Sequence, residues 1–356
     1  MLTPDNLSAA DGDVPLVGSK KLTRAAGTAP DTAPGMAPVP GPERDEIRAR
    51  QWADFARFVK RAGIFVVANL VVIAIVVTVA ARIGQTRRER QDFSGSAVID
   101  APTDEHVDVL ILGPSHARSM SWDGNHEILE AAIGGEVVTL AAEGGGPFVE
   151  DIFLDYFYAQ GNTADTVVYF AHPFTFFSDK FNENRKFVAD EPLDLDFART
   201  MLAHGVASAD IALYLQSKTA QSWLIPPRFG TAHVEVDEID PTEYAAGLRR
   251  LYPDGTDAAV FDRYAAIFAQ TIERALEHGS RVVIVIPPTL YDSVPGSDIA
   301  FPVFEEFAGQ DGVEFVDLSG TITDPSLFGD LSHLNRSGVV EFLDLLTPHL
   351  DSTATE

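Results

Sequence analysis

Cysteine is absent from the 356 residues. Disulfides, thiol catalysis and thiolate-bound metals are therefore excluded, and the compartment is left open. Positive charge is scarce, but only in one part of the chain. Residues 1–92 hold 13 Lys/Arg against 10 Asp/Glu, net +3, whereas the remaining 264 hold 13 against 43, net −30. So acidic a surface argues against nucleic acid as a partner, because phosphate binding needs basic residues. It would repel polyanionic glycans at low salt, and it also suits salty surroundings. His106, His116 and His126 recur at tens, which fits no metal-ligand spacing, so neither a metal nor another cofactor is expected.

Apolar periodicity is missing from residues 1–43, which are rich in Ala, Pro, Gly and Thr. Such a segment buries too little surface to offset its ordering entropy, and a disordered tail is expected. Residues 44–61 are charged and helix-prone, with Trp52, Phe55, Phe58 and Val59 at helical spacing, as in an amphipathic juxtamembrane helix. Residues 62–82 then read as a transmembrane helix. Ala62 to Ala81 are 20 residues without a charge, about 30 Å of helix, which is enough to cross a bilayer. From Arg44 to Arg61 six basic residues flank this span upstream, and from Arg82 to Arg90 four flank it downstream. The positive-inside rule thus places the N-terminus in the cytoplasm and the large domain outside, on a single-pass anchor. A span beginning some sixty residues in is not a signal peptide of ordinary form.

Residues 93–350 carry strand signals in an α/β rhythm. The runs are Val107–Leu112, Glu136–Leu140, Thr166–Phe170, Arg281–Ile286 and Val313–Val316. Helical patterns lie between several of them, clearest from Val260 to His278 with Gly279 as the stop. Alternation of this kind predicts parallel strands covered by helices on both faces. Residues 188–257 have few strand signals, many acidic residues and the rigid Ile225-Pro226-Pro227, and read as an insertion capping the site.

The first strand ends at Gly113-Pro114, with Ser115 just past the turn and a helix beginning soon after, capped by Asn125. A serine between a strand end and a helix is where an α/β protein exposes a nucleophile. A base is available near the other end of the chain. Asp330 stands three residues before His333 on a loop, so its carboxylate can orient the imidazole that takes the serine proton. Val339, Phe342, Leu343 and Leu346 then continue as an amphipathic helix packing that loop down.

Gly113-x-Ser115 and the block Asp330-x-x-His333-x-Asn335-x-x-Gly338 resemble, in type, spacing and order, the two motifs of the SGNH hydrolase superfamily, the GDSL-like esterases and acyltransferases. The resemblance implies a three-layer α/β/α, flavodoxin-like domain with a parallel sheet and a Ser115–His333–Asp330 triad. The second strand ends in Gly144-Gly145-Gly146, where the family uses a glycine N–H in the oxyanion hole. Gly145 is the best match, with Gly144 and Gly146 close rivals. After the third strand the family carries an Asn that completes the hole, but this chain has His172, a substitute donor or a structural residue. Pro114 stands where many members have Asp. These departures leave open an efficient hydrolase, a transferase with a modified hole or a degenerate binding relative.

A single N-terminal anchor before such a domain is similar to proteins that assist O-acylation of cell-surface polymers, which often work beside a multi-spanning membrane acyltransferase. The resemblance implies acyl transfer onto, or ester removal from, a cell-envelope glycan. Two other readings stand beside it. One is a non-catalytic glycan-binding or scaffold subunit, and the other a lipase-like hydrolase of small or lipid esters. The aromatic run Phe174, Phe176, Phe177, Phe181 and Phe187 suits the second if it lines an acyl pocket, although burial in the domain is the commoner fate of such side chains.

Overall fold

The computed structural model describes residues 42–88, 94–183, 187, 191–224, 233–292 and 294–350. The tail expected over 1–43 lies outside them, apart from Pro42 and Glu43. Those two open α1 (Pro42–Arg88), one unbroken helix of 47 residues that joins the charged and apolar segments read separately from sequence. Its stretch from Glu46 to Val79 is long and apolar enough to cross a membrane. Nearly all the large side chains from Ile64 to Val79, Val77 excepted, are more than half exposed. A stretch this apolar and covered by none of the described residues fits a single-pass anchor in bilayer hydrocarbon. Two compact units are distinguished, residues 1–65 and 66–356.

The large domain is an α/β fold built on five parallel strands in the order β2-β1-β3-β4-β5. These are β1 (His106–Gly113), β2 (Val137–Ala141), β3 (Thr163–Phe170), β4 (Arg281–Ile286) and β5 (Val313–Asp317). Each matches an expected run to within a residue or two, except that β3 starts three residues early. Its first half alternates exposed and buried positions, so it lacks the continuous apolar run that marks a doubly covered strand.

Helices cover both faces, in addition to the four-residue helices α2 (Ala97–Asp100) and α6 (Asp179–Asn182). On one, Leu110, Leu112 and Tyr169 pack against α5 (Pro147–Ala159), α10 (Ala258–Glu277) and α11 (Ser297–Phe307) through Phe153, Phe268 and Phe304. On the other, Ile111, Phe170 and Val283 meet Leu129 of α4 (Asn125–Ile133) and Phe342 of α12 (Arg336–Leu346). The side chain of Asp257 caps α10, and Gly279 follows its end at φ +85°, a left-handed conformation that glycine adopts without cost. Asn125 does not cap α4 as expected. Gly124, at φ +80°, holds the cap, and the Asn125 amide is drawn inward to donate to the Ser119 carbonyl.

The described part of the insertion carries three helices, α7 (Leu195–Ala203), α8 (Ser208–Leu224) and α9 (Pro241–Leu251). Phe197 and Met201 of α7 join the core beside α5. His204, just past α7, lies 3.1 Å from Asp151 and 2.9 Å from Asp155 of α5. Burial opposes its charge, but the two carboxylates outweigh that and lift its pKa to about 9.

Glu150, in the first turn of α5, is fully buried and accepts a hydrogen bond from Tyr169 of β3. Desolvation raises its pKa to about 8, against the opposing Tyr169 bond. The native state therefore holds a proton that the unfolded chain gives up near 4.5. The resulting stability is full below about pH 4.5, erodes as pH rises and is gone above about pH 8. Glu150→Gln should melt about 5 °C or more above the wild type at pH 9 and close to it at pH 4.5. Calorimetry across that range checks this.

Candidate active site

Every strand runs the same way, so all five carboxyl ends lie at one rim of the sheet. β1 ends there at Gly113, where a Cβ would sit 2.7 Å from the Phe170 Cβ and 2.9 Å from the Ala117 Cβ. Glycine thus lets the chain turn sharply against β3. Pro114 precedes the short helix α3 (Ser115–Ser119), placing Ser115, half-buried, at its first position.

The histidine arrives on a tight loop. Its ends pair through the Phe328–Leu334 bridge, and the Gly329 N–H donates to the His333 carbonyl at 2.8 Å. Within it, Asp330 Oδ1 accepts the backbone N–H groups of Ser332 at 2.7 Å and His333 at 2.9 Å. Both Asp330 oxygens stand 2.9 Å from His333 Nδ1, and His333 Nε2 is 2.7 Å from Ser115 Oγ. A carboxylate only accepts, so Nδ1 carries the imidazole proton and Nε2 is left to accept from the serine hydroxyl. Burial would raise the Asp330 pKa, but the His333 and Ser332 hydrogen bonds outweigh it and hold the carboxyl below its usual range. The residues expected to act together are brought together in hydrogen-bonded order, and Asp330 remains charged at neutral pH.

Asn335 and Gly338 explain the rest of the motif. Asn335, buried, caps α12 by accepting the Gly338 N–H, and its amide donates to the carbonyls of Ser326 at 2.7 Å and Val234 at 3.1 Å. A Cβ on Gly338 would come within 2.1 Å of the Leu327 carbonyl oxygen. The pair therefore seats the helix on the histidine loop and ties the end of the insertion to it.

The glycine turn departs from expectation. The Gly145 N–H donates to the Ala142 carbonyl at 3.0 Å, which closes the turn rather than facing Ser115. Gly144 supplies the left-handed residue at φ +66°. Gly146 packs on Asn182, where a Cβ would lie 2.9 Å from its side-chain oxygen. Asn182 accepts the Phe148 N–H and donates to the carbonyls of Thr175 and Ser178, fastening the start of α5 to the segment after β3. Nothing in the sequence singled it out.

His172 follows β3 and is 2% exposed. Its ring lies against His116, and His116 against His333. Burial drives the His172 pKa to about 3 and that of His116 well below the usual imidazole range, so both are neutral. Neither nitrogen of His172 has a partner or measurable accessible surface, so in this conformation His172 offers no donor to a substrate oxygen. Of the aromatic run, Phe176, Phe177 and Phe187 are core residues. Phe174 stands beside His172 and His116 and packs on Phe181.

A cavity of about 680 Å³ opens beside Asp330 and His333. Its far wall is the last part of the insertion, whose Glu235, Asp237, Glu238, Asp240 and Glu243 bring five carboxylates, with Arg250 the one Lys or Arg among the described residues lining it. Capping by the insertion thus falls to residues 235–251, held down by Asn335 and by the Val236 N–H donating to the Phe328 carbonyl at 3.0 Å. Composition had shown the acidity of the region but not that it faces the histidine. Among the described residues no group of three or more His, Asp or Glu is placed to hold a metal.

No protein-family model matches the chain, and no curated protein matches it. Among solved structures it is similar to a "putative acylhydrolase" from Bacteroides fragilis, with 11% identity over 71% of this chain and 92% of that one and a TM-score of 0.36. At that depth the likeness bears on neither reaction nor substrate.

Asn335→Ala removes the α12 cap and both carbonyl contacts. It should cost about 2 kcal/mol, seen as a lower melting temperature. The segment around Val234 should also gain faster amide exchange than α5, as hydrogen–deuterium exchange would show.

Proposed function

We propose that this chain is a membrane-anchored serine esterase or O-acyltransferase of the SGNH type, acting on an ester of a cell-envelope glycan. The observation that carries the reading is the hydrogen-bonded line from Ser115 Oγ through His333 to Asp330. Ser115 Oγ attacks the ester carbonyl while His333 Nε2 takes its proton, and Asp330 stabilises the imidazolium that forms. The backbone N–H of Ser115 lies at the first position of α3, where no carbonyl one helical turn back is available to accept it. It supplies one donor to the oxyanion. Gly145 would join the hole only after its turn on Ala142 opens.

Collapse of the intermediate expels the alcohol, which takes the proton from His333 and leaves an acyl ester on Ser115. His333 then deprotonates either water, giving hydrolysis, or an acceptor hydroxyl, giving transfer. The acidic cavity favours a neutral polyhydroxyl or amine-bearing acceptor over a polyanionic one. The apolar helix supports a single-pass anchor, and the basic residues before it support a cytoplasmic N-terminus with the domain outside. A multi-spanning acyltransferase is the partner that such an anchored domain suits, and the acidity of the domain leaves no role for nucleic acid.

The engaged Gly145 amide favours a second reading, a non-catalytic glycan-binding partner of that acyltransferase. Fluorophosphonate labelling of the detergent-solubilised full chain separates the two. The wild type should label and Ser115→Ala and His333→Ala should not, while Asp330→Asn should label at least about 100-fold more slowly. A folded wild type that stays unlabelled at any pH would sink the catalytic reading in favour of the binding one.

A further inference from the structure

Three imidazoles stand in one stack at the rim of the sheet. Ring centroids of His172 and His116 are 4.9 Å apart, those of His116 and His333 are 4.8 Å apart, and each pair is inclined by 26°. The three come from separate places: the end of β3, the helix α3 and the loop before α12. Only the fold stacks them. His116 and His172 are 3% and 2% exposed, and none of their four ring nitrogens has a hydrogen-bond partner. Unpaired buried polar atoms are costly, and apolar rings of similar shape would avoid that cost. Core stability therefore does not explain two histidines here.

Their position does. The outer ring of the stack, His333, is held at Nδ1 by Asp330 and at Nε2 by Ser115. Those two bonds fix its edge but leave it free to rock about the line joining them, and a ring against its face stops that rocking. A neutral imidazole also presents an electron-rich face, richer than that of benzene, to the cation that His333 becomes on taking a proton. His116 stays neutral there because it is buried and because a charge on His333 opposes a second one beside it.

We propose that His116 is a positioning residue for the base: its ring, held between His172 and His333, fixes the plane of the His333 imidazole and stabilises the imidazolium formed when Ser115 gives up its proton. The inference rests on the Ser115–His333 pairing of the preceding reading. Other groups also face His333. Asp330 lies on its own loop, and Glu235, Asp237, Glu238, Asp240, Glu243 and Arg250 reach the shared cavity from the insertion. Tyr291 lines the same cavity from the segment after β4. His116 does not line that cavity, so a change on its replacement is read at the face of the His333 ring.

The test uses the detergent-solubilised full chain with His116→Leu and His116→Phe, each checked for folding by its melting temperature. Two quantities are read against pH: the fluorophosphonate labelling rate, and deuterium exchange at the imidazole C2 position of His333 by mass spectrometry. In His116→Leu the labelling rate should fall about tenfold, equivalent to about 1.4 kcal/mol. The pH midpoint of exchange at His333 should move down by about one unit relative to wild type. His116→Phe restores an aromatic face and should recover most of both. If His116→Leu does not fold, His116→Asn, which also lacks a π face, replaces it. An unmoved midpoint in a folded variant without the ring overturns the proposal, as does a folded His116→Phe that behaves like His116→Leu. If wild type fails to label while the exchange midpoint still moves, the catalytic reading falls and the stacking inference stands.

Discussion

The site depends on the parallel register of the sheet. β1 pairs with β2 through Gly113–Ala141 and with β3 through Leu112–Tyr169, so the segments that leave these strands start side by side. Ser115, the glycine turn and His172 are consequently neighbours at the rim, although nearly sixty residues separate the first from the last. β4 and β5 extend the same edge, and the Leu290 N–H after β4 donates to the Leu331 carbonyl inside the histidine loop at 2.9 Å. An antiparallel strand anywhere in this set would carry its following loop to the other end of the sheet. The rim is made by direction alone, before any side chain is chosen.

What the strand ends do not supply is the partner of Ser115, and the chain brings His333 back to it 218 residues later. A loop returning from so far must be tied at many points to hold a hydrogen bond of 2.7 Å. Asp330 ties it internally through two backbone N–H groups, Asn335 ties it to α12 and to the insertion, and the Leu290–Leu331 bond ties it to the sheet. The stack of His116 on His333 adds support on the ring face, where hydrogen bonds do not reach. Orientation of the imidazole is thus shared among several elements, each making a modest contribution.

The electrostatics of the domain fit this arrangement. Residues 93–356 carry net −30, and in the proposed reaction the one positive charge that forms at the centre is the imidazolium of His333. Asp330 and the cavity carboxylates favour that charge from the edges. The same carboxylates set the character of the cavity for any acceptor, since an anion entering it would lose its hydration and meet like charge.

Much of this was legible in the residues. The five strands read as apolar runs because buried parallel strands are covered on both faces, and Gly113-x-Ser115 and Asp330-x-x-His333 name their chemistry because an Asx turn fixes an Asp and a His three apart. Asn335-x-x-Gly338 was readable as a block, but its reason, a side-chain cap and a carbonyl with no room for a Cβ, is visible only in the packing. Other features depend on which distant segments meet. The Gly145 amide turns away from Ser115 because of a local bond to Ala142, and His116 gains its meaning from rings 56 and 217 residues further on. The acidic insertion faces His333 because Val234 and Val236 are stitched to Asn335 and Phe328 on either side of it. Periodicity and motif spacing are local quantities, so the sequence by itself determined the α/β class, the long apolar helix and which Ser, His and Asp could pair. Contacts between distant segments are not local, so only the tertiary structure decided how the base is held, which N–H groups remain free and what charge surrounds the cavity.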